Sequence, residues 1–207
     1  PDAAQQEARA ISFMKSLKTV WRLQWANAYK EPLWRLAVNG VRGAGGHGIV
    51  MRAPCVCGYA VPRAHTDGSI HRQHAFWECP VAAAVREELQ RGLGPRVQLQ
   101  QWNVWLLQPP WGSAVRPVVW RVVATAATYA MDRGRAVMWA ALRKGGQPAA
   151  AAQTAGSQRA AGEFWMALEA FARDFSIDDA PGWGAVGPDH PFLCVTAADR
   201  LAVRLPG

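Results

Sequence analysis

Lysine is scarce in this sequence, with four residues against nineteen arginines. No stretch approaches the ~20 apolar residues that a membrane-spanning helix needs. No signal-peptide apolar region opens the chain, so a membrane partner is not expected. Composition typical of disorder is absent, since half the residues are apolar and 18% are charged. Cysteine is also sparse. Cys55, Cys57 and Cys79 lie close together and Cys194 lies far from them. In a reducing compartment such clustering points to a metal rather than to disulfides. The expected setting is therefore intracellular, with nucleus and organelle (mitochondrion) both open. A first residue Pro1 instead of Met leads to the expectation of a processed protein or an excised domain.

What is abundant is arginine and tryptophan. The formal charge of +8 and pI near 9.9 make a polyanion, RNA or DNA, the leading partner class. A GC-rich coding sequence would give the same Arg excess with no partner implied. Eleven tryptophans are expected mainly as core anchors, a few being free to stack on bases.

The pattern along the chain predicts a mainly α fold. Ile11, Met14, Leu17, Val20, Trp21 and Trp25 recur at helical steps. A short helix over Leu33–Val38 follows, with Pro32 in its first turn and Asn39-Gly40 as its stop. Gly43 to Gly48 is a glycine-rich loop without the Lys, Ser or Thr spacing of a phosphate loop. A helix is expected from Pro80 to about Arg91, ended by the run GLGP. Beyond it, helices are expected over Ala114–Tyr129 and Arg133–Lys144. Pro148 to Ser157 reads as an Ala-rich linker or frayed helix, and an amphipathic helix carrying Phe164, Leu168 and Phe171 comes next. Short strands are expected near 49–57 and 192–205. Two regions result: a helical zinc-knuckle module over 1–94 and a helical region of unknown type over 95–207.

The chemistry concentrates between Cys55 and Cys79, where His65, His71 and His74 also fall. Zinc takes four sulfur or imidazole ligands in a tetrahedron. Cys55 and Cys57 on a turn closed by Gly58, with His74 and Cys79 ahead of a helix, supply such a set. Cys79 before Pro80 sits where a helix dipole favours a thiolate. Four protein ligands close the site, which makes it structural. His65 or His71 in place of His74, Cys194 folding back, and buried thiols without metal are the competing arrangements.

The stretch Trp34 to Val41 (WRLAVNGV), the Cys55-x-Cys57-Gly58 turn and the run HAFWECP from His74 to Pro80 resemble the reverse-transcriptase zinc-binding domain family. That family lies downstream of the polymerase in non-LTR retrotransposons. The resemblance covers about residues 18–93 and departs from the common form in having one residue, not two, inside the first Cys pair. It implies one structural zinc on Cys55, Cys57, His74 and Cys79, with Phe76 and Trp77 packed behind the metal.

No polymerase motif Tyr-x-Asp-Asp is present, and Pro188-Asp189 is not followed by the second acid and Lys of a nuclease centre. No catalytic residue is assigned and no enzyme is expected. The expected function is a zinc-stabilised nucleic-acid-binding domain from, or derived from, a retroelement reverse transcriptase. Phosphate-contact candidates are Arg42, Arg52, Arg63, Arg72, Arg86 and Arg91. The alternatives are a domesticated structural subunit of a large ribonucleoprotein such as an organellar ribosome, with other protein subunits as partners, and a protein-binding adaptor.

Overall fold

The computed structural model describes residues 3–38, 55–59, 72–175, 186, 190–198 and 200–205. Among these the fold is mainly helical. Its elements are α1 (Ala3–Arg22), α2 (Asn27–Ala37), a π-helical turn (His74–Glu78), α3 (Pro80–Leu93), α4 (Gln101–Trp105), α5 (Pro117–Arg143) and α6 (Ala149–Asp174). An antiparallel hairpin of β1 (Leu193–Val195) and β2 (Leu201–Val203) follows, with Cys194 opposite Ala202.

The first helix ends earlier than its apolar pattern, because the carbonyls at its end take a side-chain donor. Lys30 Nζ donates to the carbonyls of Trp21 and Leu23 at 3.3 and 3.2 Å, satisfying acceptors that a helix end leaves open. Burial lowers the pKa of this lysine. α2 then begins at Asn27, so Pro32 lies inside it and not in its first turn. The missing N–H of Pro32 removes only one bond close to the helix start.

The expected pair of helices over 114–144 is one helix, α5, started by Pro117. The Ala-rich stretch expected as a linker is the first half of α6. These two helices form the central antiparallel pair, and glycine sets how closely they approach. A Cβ on Gly134 would stand 2.5 Å from Ala160 Cβ and 2.6 Å from the Gly156 carbonyl oxygen. Val81 of α3 reaches into the same crossing. Close backbone approach of this kind needs residues without side-chain bulk.

The expected boundary near residue 94 coincides with the end of α3, where Gly94 takes φ +79°. The hydrophobic core runs across that point. Val85 and Leu89 of α3 belong to one cluster with Trp120 and Val123 of α5, Phe164 and Phe171 of α6, and Leu201 of the hairpin. Phe192 closes it, lying against Gly92 and packing edge-on to Phe164 at 6.2 Å. No helix among the described residues is long and apolar enough to cross a membrane.

Candidate metal centre

Residues 55–59 form a tight turn and not the end of a strand. The Gly58 amide donates to the Cys55 carbonyl at 2.8 Å, and the Cys55 amide donates to the Tyr59 carbonyl at 2.7 Å. Gly58 takes φ +88°, the left-handed region that glycine enters without strain. Residues 49–54 lie outside the described residues. The turn places Cys55 and Cys57 on the same side as two residues delivered by the next element.

That element is the π turn. Five steps along an α-helix would swing a side chain about 140° away, at about 100° per residue. Here the Cys79 amide instead bonds to the His74 carbonyl at 2.8 Å. Closing the turn one residue later brings positions five apart nearly into line. Cys79 then leaves the turn in an extended conformation (φ −55°, ψ 138°), and Pro80 starts α3 directly behind it.

One ligand atom from each of Cys55, Cys57, His74 and Cys79 lies within 4.8 Å of all the others. Cys57 Sγ and His74 Nε2 are 3.4 Å apart. A tetrahedral zinc with ordinary bond lengths spaces sulfur and nitrogen by about 3.5 Å. Cys55, His74 and Cys79 are buried and Cys57 is half-buried. These residues can hold a metal ion. Cys194 lies on β1, outside the cluster. His65 and His71 fall outside the described residues.

The thiols share protons unevenly. Hydrogen bonding from Cys79 holds the Cys55 thiol down to about 3, against the opposing effect of burial. Cys79, the donor of that bond, is pushed up by it and by burial. Burial raises Cys57, with the Tyr59 backbone pulling the other way. A bound dication would take the place of the thiol protons.

Around the ligands, Tyr59 stacks on the His74 ring at 4.0 Å with 6° between planes, a role the sequence reading missed. An aromatic two positions after Cys57 is the only signal that could have shown it. Phe76 is fully buried. Trp77 is half-buried, and the Arg86 guanidinium lies 4.8 Å over its ring. His74 Nδ1 is buried with no hydrogen-bond partner among the described residues.

Of the arginines singled out above, Arg42, Arg52 and Arg63 lie outside the described residues. The described ones are engaged within the chain. Arg72 donates to the Leu36 carbonyl at 3.3 Å and lies over Trp105. Arg86 covers Trp77, and Arg91 pairs with Glu88 at 2.8 Å. His190 is buried too, and its Nδ1 accepts from the amides of Phe192 and Leu193 at 3.3 and 3.1 Å, holding the turn into β1.

No protein-family model, no curated protein and no solved structure matches this chain.

Proposed function

We propose that Cys55, Cys57, His74 and Cys79 hold one zinc ion, and that the chain is a zinc-stabilised nucleic-acid-binding module of reverse-transcriptase zinc-binding type. The observation that carries the metal reading is the convergence of four ligand atoms within 4.8 Å. Three thiolates and an imidazole suit zinc over the oxygen-seeking cations. Four protein donors leave no open position for substrate, so the ion serves as a staple. It ties the turn at 55–59 to the start of α3, and α3 is wedged between α5 and α6 through Val81.

Support for a nucleic-acid partner is the charge of +8, nearly all of it arginine. Phosphate neutralisation by such residues gives affinity that falls as salt rises. The resemblance of residues 18–93 to the retroelement family adds the same partner class. Two measurements test the reading: elemental analysis for about one zinc per chain, and binding of labelled RNA and DNA across a salt series. Absence of zinc sinks the metal half, and absence of any salt-dependent binding sinks the nucleic-acid half.

A further inference from the structure

We infer that the outer face of α1, together with Trp34 of α2, is a stacking platform for single-stranded nucleic acid. This rests on the nucleic-acid reading above and names the surface that would carry it. α1 turns Leu17 and Val20 into the core. Its opposite face is left to solvent and carries Met14, Lys15, Lys18, Trp21 and Arg22, all exposed. At about 100° per residue, Met14 and Trp21 lie to one side of Lys18, Lys15 and Arg22 lie to the other, and the exposed Ile11 falls between Lys18 and Arg22. Basic and apolar groups therefore share this face.

The tryptophans on this face are exposed yet fixed. Trp21 is 45% and Trp34 42% exposed. Their rings stack on each other at 6.1 Å and 24°. The buried Lys30 ammonium sits 5.5 Å from the Trp21 ring and is anchored by carbonyls at the end of α1. A ring held this way loses little freedom when a base stacks on it, which is the cost that weakens binding by mobile side chains.

Charge decides the occupant. Lys15, Lys18 and Arg22 make no ion pair among the described residues. The acids on the two helices are Glu7, nearly two turns before Met14, and Glu31, which is paired to Arg35. Arg35 is further neutralised by Asp132 and takes no part. A strand with unpaired bases offers rings to the tryptophans and phosphates to the row of cations; a duplex hides its bases. An anionic bilayer suits the face less well. Surface-seeking helices separate a broad apolar face from a basic one, whereas here the exposed Ile11, Met14 and Trp21 lie among Lys15, Lys18 and Arg22.

The test is fluorescence anisotropy of the zinc-loaded full chain with labelled oligouridylate, oligothymidylate and a duplex of equal length, beside flotation with phosphatidylserine vesicles. The expected result is single-strand binding that drops about tenfold or more in Trp21→Ala/Trp34→Ala. Trp21→Phe should keep most of it, and Trp111→Ala, at the exposed turn after α4, should leave it unchanged. Lys18→Gln/Arg22→Gln should lower the slope of log affinity against log salt by about 1.4, the single-strand value for two phosphates. Zinc content and helical circular dichroism are followed in each variant. Wild-type binding that survives the double Trp change, or preference for duplex or vesicles, overturns the platform and leaves the broader reading standing. No binding of the wild type to any nucleic acid overturns both.

Discussion

The amide of Cys79 donates to the carbonyl of His74 at 2.8 Å, and this bond makes two residues five apart act as a pair. An ordinary α turn would have pointed one of them away from the other. The π turn thus does for this site what a second knuckle does elsewhere, bringing His74 and Cys79 together to face Cys55 and Cys57.

Losing Cys79 should release the metal. Cys79→Ser is expected to reduce bound zinc from about one per chain to a small fraction, read by elemental analysis after dialysis. Hydrogen exchange should quicken over 72–85 while the α5–α6 pair stays protected. Full zinc retention in this variant would remove Cys79 from the ligand set.

Tyr59 tests whether stacking positions the imidazole. Tyr59→Ala should weaken zinc affinity about tenfold, the lower end for groups that orient a ligand. Tyr59→Phe keeps the ring at 4.0 Å from His74 and should bind as the wild type does. Competition with a chromogenic chelator gives both values.

Two glycines of α6 should respond in opposite directions. A Cβ on Gly156 would meet Met138 Cβ at 2.7 Å and the Gly134 carbonyl at 2.9 Å, so Gly156→Val should cost about 3 kcal/mol. Nothing lies within 4 Å of a Cβ at Gly162, and Gly162→Ala should stabilise by about 0.5–1 kcal/mol. Urea unfolding at fixed zinc measures both, and equal signs would contradict the close crossing.

His190 should make the fold sensitive to mild acid. Burial lowers its pKa to about 4, below the ordinary histidine value of 6.5. The native state therefore keeps the ring neutral while the unfolded chain takes up a proton first. Its stabilisation is fully present above pH ~6.5 and is lost as pH falls toward about 4, by up to ~3 kcal/mol. His190→Gln should flatten the stability profile over this window. The difference between the two urea series isolates the histidine, because effects shared by both chains cancel.

Large or chemically distinctive residues made much of this readable beforehand. Clustered Cys and His marked the candidate ligands, Pro80 marked the start of α3, and Phe164, Leu168 and Phe171 marked the second half of α6. The first half of α6 was hidden because its contact residues are Ala152, Gly156 and Ala160. They work by being small enough for two backbones to meet, and small residues leave no hydrophobic stripe. The reach of Lys30 back to α1, and with it the early end of that helix, depends on a tertiary geometry that periodicity does not carry. Tyr59 was missed for a similar reason, since its partner lies fifteen positions away.

Phe192 fills the space over Gly92, a hundred residues back along the chain. During synthesis all the cysteines and the histidine of the cluster leave the ribosome long before that ring does. A nascent chain would thus have all four candidate ligands free of the ribosome while the core beside α3 is still open, and Phe192 arrives to close it later.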